Sequence, residues 1–307
     1  MVWIDNFFGG NSMKDTVLNE VTYKIWNGHS IYSDEIKKAF DKLESIENNL
    51  PIIESFILEN GKKLLHVWGP AGNISSKAKV IISGFSTSTS AAKEIFSKIL
   101  STIKENLAED ISCELRNICS NAVYKGPMLK RLAEGMKKIV PIIDSCLDLD
   151  IATVFQKEWN ILSSGSYERE VSLFNSDIDS SLILTQSTFN GLILKDSTNF
   201  SCAAYKIPIS AAKKIAIPYI QNLFNTNKES LKICFVLGKQ AWNCWDEAIL
   251  SNVSKLPFGW WNDNSVIDIK LPLLISLPHP SPGSPQYFNI IRLVEGRLKT
   301  AFCVENE

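Results

Sequence analysis

Histidine is scarce in this chain, at three of 307 residues, so each imidazole asks for a reason. Cysteine occurs seven times, as Cys113, Cys119, Cys146, Cys202, Cys234, Cys244 and Cys303, yet no two form a CxxC pair. An odd, scattered set without metal spacing argues against a zinc or iron–sulfur site and predicts reduced thiols. Cys234 lies inside the apolar run ICFVL and reads as core filler. No apolar run approaches the about 18 residues that cross a bilayer, so no membrane span is expected. The first residues, MVWIDNFFGGNSMKD, lack a basic stretch followed by an apolar block. No signal peptide is therefore expected, and the cytoplasm is the expected location. An excess of charge of one sign is missing too, the formal net charge being −1. That neither demands nor excludes a nucleic-acid partner, because positive charge can gather on one face while the sum stays near zero. Internal repeats and low-complexity segments are absent as well.

What is present is an ordinary globular composition, with 45% apolar and 21% charged residues. Such a length supports one large α/β domain or a domain with an added lobe. Ile36, Phe40, Leu43 and Ile46 stand at helical spacing, so Asp34 to Asn49 is predicted as an amphipathic helix within a helical N-terminal extension over 1–62. Lys63 to Trp68 reads as a strand, with His66 at its core or edge. Lys79 to Ser83 reads as a short buried strand, Gly84 as the start of a turn, and Thr89 to Glu105 as a helix with several possible Ser and Thr caps. The span 106–165 reads as a helical insertion, with one helix over Met128 to Cys146 bent at Pro141 and another over Ile151 to Leu162. It gathers Lys125, Lys130, Arg131, Lys137 and Lys138, either a solvated face or a phosphate-contacting one.

Strands are predicted again at Ser181 to Thr185, Gly191 to Lys195, Lys232 to Leu237 and Leu271 to Leu277. Helices are predicted at Ile209 to Phe224, Gly238 to Ile249 and Pro285 to Thr300. This alternation implies one domain over 1–307 with a three-layer α/β/α architecture and a central, mostly parallel sheet. In such a sheet function collects at the carboxyl ends of the strands. Three polar turns follow buried strands: GFSTSTSAA (Gly84 to Ala92), STNFSCA (Ser197 to Ala203) and LPHPSPGS (Leu277 to Ser284). All three are expected to open on one edge, bringing together a Gly-rich turn at a helix N-terminus, an amide and an imidazole.

These turns resemble a known family. HPSP after an apolar strand is similar to the last motif of the uracil-DNA glycosylase superfamily. VIISGFSTSTSAAKEIF resembles its first motif, and Ser90-Ala91-Ala92 echoes the mismatch-specific branch. Thr198-Asn199, a helix and then KICFVLGKQAW resemble its middle segment in order and spacing. The likeness covers roughly residues 79 to 100 and 190 to 296 and implies excision of a base from DNA after the nucleotide leaves the stack. It implies that His279 stabilises the departing base anion as a neutral donor and that Asn199 reads the base edge. Ser281 and Lys239 would meet phosphates, with Pro280 and Pro282 presetting the turn. Gly84, Phe85, Thr87 and Ser88 would line the substrate. DNA is the implied partner, a monomer is expected, and neither cofactor nor metal is called for.

Two positions depart from the family pattern. Ser86 stands where the family carries the Asp or Asn that positions water, so Ser86 orients it weakly, or Asp177, Asp179 or Asp196 does so, or the protein binds without cutting. Gly283 stands where relatives often place a bulky wedge; Tyr287 or Phe288 is a candidate substitute, or the substrate is single-stranded or carries a bulky modified base. Phe85, Trp242, Trp245, Trp260 and Trp261 are candidates for stacking on bases or for core packing. Together these features imply a divergent glycosylase for a modified or damaged base. Some relatives remove hypermodified bases from phage DNA, which makes a defence role conceivable. Two other readings remain. One is a serine hydrolase using Ser86 and His279, since the order Ser…Asp…His fits while the second elbow glycine is missing. The other is a non-catalytic DNA-binding member of the same fold.

Overall fold

The run ICFVL has too many consecutive apolar residues to expose either side, and it becomes the strand on which the fold is built. A computed structural model describes residues 30, 32–34, 37, 44–46, 50–57, 61, 63–67, 77–86, 97–98, 101–102, 110–111, 114, 126–159, 182–189, 191–194, 200–201, 208–250, 253–263, 269–281 and 283–302. In chain order its strands are β1 (Glu44–Ile46), β2 (Leu50–Ile57), β3 (Lys63–Val67), β4 (Val80–Ser86), β5 (Ile183–Phe189), β6 (Gly191–Leu194), β7 (Phe200–Ser201), β8 (Ile233–Leu237), β9 (Ser254–Leu256) and β10 (Leu273–Leu277). Its helices are α1 (Gly126–Leu147), α2 (Ile151–Trp159), α3 (Ile209–Asn227), α4 (Lys239–Ala248) and α5 (Tyr287–Phe302), with a 3-10 turn at Trp260–Asn262.

Five strands form a parallel sheet in the order β5-β4-β8-β10-β9. Side chains alternate across it, as the period of a strand requires. Val80, Ile82, Ile233, Phe235, Leu237, Leu273, Ile275 and Leu277 join one core cluster, together with residues of α1, α2 and α5. Ile81, Phe85, Cys234, Val236 and Leu274 join the other, with α3 and α4. Helices therefore cover both faces, and the chain has an α/β/α fold. Phe235 is fully buried and meets Phe155 of α2 edge to face at 6.3 Å. A side chain of this kind contributes roughly 1.5–3 kcal/mol by leaving water. Asn227, 1% exposed, accepts from the Ala78 backbone N–H and donates to the Leu223 carbonyl, tying the end of α3 to the start of β4.

Several expectations are corrected. The helix predicted over Asp34 to Asn49, and with it the wholly helical extension over 1–62, gives way to strand at β1. Asp34 and Lys37 are helical, but β1 pairs antiparallel with β2, and that ladder outweighs the helical spacing of Leu43 and Ile46. β1, β2, β3, β6 and β7 form a second sheet whose pairings are all antiparallel, which the sequence reading did not anticipate. The strand expected at Gly191 to Lys195 joins the second sheet as β6, with a single residue between it and the end of β5 in the first. The helices of 106–165 are no appendage, since Leu132, Met136, Ile139 and Ile143 of α1 sit in the same cluster as β4, β8 and β10. Among the described residues no helix is long and apolar enough to cross a membrane.

Candidate active site at the carboxyl edge of the parallel sheet

The chain passes from β4 to β5 on one side and later enters β8 on the other, so the order of strands reverses between β4 and β8. At that point the sheet splits. The β4–β8 ladder ends at Ser83↔Val236, while β4 continues with β5 to Ser86↔Phe189 and β8 continues with β10 to Leu237↔Leu277. A reversal of strand order with parted carboxyl ends is where α/β sheets accommodate ligands. Gly84, Phe85 and Ser86 form one lip of this crevice. On the other lip, Gly238 and Lys239 follow the neighbouring strand β8, about 5 Å away, and His279 follows β10, about 10 Å away across two strand spacings.

The second lip is tightly built. Gly238 N–H donates to the Leu277 carbonyl at 2.8 Å, so the ends of β8 and β10 are joined beyond the ladder. Gly238 has φ 89° and ψ 156°, a conformation that belongs to glycine almost alone. A side chain there would also press on the histidine, because a Cβ on Gly238 would lie 3.3 Å from His279 Cβ. Gly238 caps α4 without a side-chain hydrogen bond, so the first N–H groups of that helix face this edge. His279 is half-buried, and burial holds its pKa below the usual 6.5. That direction favours a neutral imidazole.

The proline-rich segment continues from His279. Pro278 and Pro280 are buried, Ser281 and Ser284 are half-buried, and Gly283 is exposed. Ser284 N–H donates to the Ser281 carbonyl at 2.9 Å, which closes a tight turn before α5 begins. A Cβ on Gly283 would meet only Ser281 Oγ, at 3.8 Å, so sterics do not demand glycine at the tip. Lys239 is exposed at the start of α4.

Several sequence expectations change here. Gly84 does not start a turn; β4 runs on to Ser86 because β5 keeps pairing with it. Ser86 therefore ends a paired strand, and among the described residues only Asp148 and Asp150 have left-handed φ without being glycine. That is not the strained elbow of a serine hydrolase. Phe85, expected against the substrate, is 5% exposed and packed in the core with α3 and α4. Trp242, Trp245, Trp260 and Trp261 are likewise core residues; Trp245 Nε1 donates to Ser83 Oγ and Trp260 Nε1 to the Ser276 carbonyl. Tyr287 cannot act as a wedge because it is buried against α1, and burial pushes its phenol pKa up. Phe288 is half-buried beside it at 5.1 Å. Cys234 and Cys244 are buried free thiols, Cys244 pushed up to about 12 mainly by burial.

The segment expected to present Asn199 is flanked by β6 and β7 of the antiparallel sheet rather than by a strand of the parallel one. Asn199 itself, Thr87, Ser88, Pro282, Asp177, Asp179 and Asp196 lie outside the described residues. The structure thus joins His279 and Gly238 directly and sets Ser86 on the same edge. Among the described residues no group of His, Cys, Asp and Glu is arranged to hold a metal. A groove of about 490 Å³ lies elsewhere, against α3 and the end of α4, where Lys213 pairs with Glu247. Arg131, expected on a solvated or phosphate-contacting face, instead donates from Nη2 to the Ser284 carbonyl at 2.5 Å, a contact the sequence did not signal. No family model matches the chain, and no curated protein matches it.

Proposed function

We propose that the chain is a DNA glycosylase that flips a modified or damaged base into the crevice between β4 and β8 and hydrolyses its glycosidic bond. The observation that carries this reading is a desolvated, half-buried imidazole fixed on Gly238, at the N-terminus of α4 and beside the split in the sheet. Heterolysis leaves the bonding electron pair on the base and a cationic sugar. A neutral His279 N–H, already in place, donates to the base oxygen as negative charge grows there. It keeps its proton, so no second group is needed to reset it. Water, oriented by the Ser86 hydroxyl, then adds to the sugar cation, and the proton it loses passes through solvent to the base anion, which leaves as the neutral base. Asn199 would read the base edge, while Ser281 and Lys239 would hold flanking phosphates. The exposed Gly283 leaves the mouth open to a base that carries a bulky substituent.

An abasic-site assay on DNA bearing a range of modified bases tests this directly. The wild type should release base from at least one substrate, and His279→Ala should slow release by about 10²–10³-fold, the range for losing one such donor. No release by the wild type from any substrate would sink the enzymatic reading. DNA binding that weakens steeply with salt, still without release, would instead establish a binding protein.

A further inference from the structure

Arg131 of α1 brings a guanidinium against the proline-rich segment, where the chemistry above gives it no part. Nη2 donates to the Ser284 carbonyl at 2.5 Å. The guanidinium carbon lies 5.2 Å from the Tyr287 ring centroid and 5.1 Å from that of Phe288. Nε is buried with no hydrogen-bond partner among the described residues. No ion pair to Arg131 occurs among the described residues either. A half-buried cation held by one carbonyl and two aromatic faces is oriented by all of them, because the guanidinium is planar and its donors are fixed.

The fit continues one turn along α1. A Cβ on Gly135 would collide with the Tyr287 hydroxyl, so glycine lets α1 and the start of α5 approach. The Ser284 carbonyl also accepts from Tyr287 N–H at 3.3 Å, while Ser284 N–H closes the turn back to Ser281. Arg131 therefore grips the residue at which the tight turn becomes helix. Immediately before that turn stand half-buried His279 and buried Pro280.

We infer that Arg131 is a positioning residue: it clamps the turn after HPSP from α1 and so keeps the His279 imidazole seated over Gly238. This rests on the reading of His279 as the group that stabilises the departing base. Arg131 acts through the turn and touches no reacting atom. A simple contribution of positive charge towards DNA would make lysine an adequate replacement, whereas a planar clamp would not tolerate it.

The test uses the full chain with Arg131→Lys, Arg131→Met and Phe288→Leu. Single-turnover base release should fall about tenfold or more in both Arg131 variants, as displaced catalytic groups do, with DNA affinity changing far less in Arg131→Lys. A second readout needs no activity. The His279 imidazole, assigned by its loss in His279→Gln, is titrated by NMR, and its pKa should move up towards the ordinary 6.5 in both Arg131 variants as the turn loosens. Phe288→Leu, which removes one aromatic face, should shift it the same way by less, and carries the test if an Arg131 variant does not fold. Wild-type behaviour in Arg131→Lys, or an unmoved His279 titration, overturns the clamp. If the wild type releases no base, the glycosylase reading fails, and the titration alone still decides whether Arg131 positions His279.

Discussion

From Leu277 to Pro280 the proline-rich segment is pinned: Pro278 and Pro280 are buried, His279 lies on Gly238, and the Leu277 carbonyl holds the Gly238 N–H. From Ser281 to Gln286 the same kind of composition is mostly open, with Gly283, Pro285 and Gln286 exposed. The two glycines next to these halves differ in the same way. Gly238 needs to be glycine on both backbone and steric grounds, whereas Gly283 has room for a side chain and a φ outside the left-handed region. Similar residues thus serve two ends. The first half fixes an imidazole, and the second presents an adaptable surface whose only described anchor from outside the segment and its helix is Arg131.

Substitution at Gly238 should break the pinned half most severely. Gly238→Ala is expected to cost about 1–3 kcal/mol in urea unfolding, the strain of a glycine-only conformation, and to displace His279 as well. A cost near zero would show that the junction of β8, α4 and β10 is not pinned. Acid probes the same half. Burial lowers the His279 pKa in the folded chain, so the unfolded chain takes up the proton first as pH falls. The contribution of a neutral His279 to stability is complete above 6.5 and is lost as pH drops through the lower folded value. Wild type should therefore lose more stability below that pH than His279→Gln does. The acid limb of base release should be centred below pH 6.5; a limb centred at or above 6.5 would contradict a desolvated imidazole.

Two smaller effects sharpen the contrast. Ser276, fully buried one residue before Leu277, has a hydroxyl with no partner among the described residues. Ser276→Ala should change stability by less than about 1 kcal/mol, in either direction, because the lost group makes no hydrogen bond. A larger loss in thermal unfolding would reveal a partner such as a buried water. Gly283→Ala should be the mildest change and should stabilise by about 0.4–1 kcal/mol through the unfolded chain. Destabilisation there would mean that the open half is held more tightly than it looks.

Much of the parallel sheet could be read from the sequence, because β8 is a continuous apolar run and β10 is one apart from Ser276, bounded by Gly238 and Pro278, and buried parallel strands require that pattern. The HPSP turn and the start of α4 were readable for the same reason. β1 was not, since Leu43 and Ile46 fit a helical period until pairing with β2 is known. The three residues of β9 are too few to give a period. The clamp at Arg131 left no local signal at all: its partner is 153 residues away, and a basic residue on an amphipathic helix looks like any solvated one. The Asn227 tie to Ala78 spans 149 residues and is hidden in the same way.

The placement of β10 bears on the birth of the molecule. β8 lies between β4 and β10, and β10 is made after every other strand of its sheet. On the ribosome, β8 keeps an unpaired backbone edge until Leu273 to Leu277 emerge, a template for wrong pairing, and pairing with so late a segment closes a long loop and is slow. The segment that seals this edge also brings the imidazole, so chains cut short before it would be both sticky and without His279.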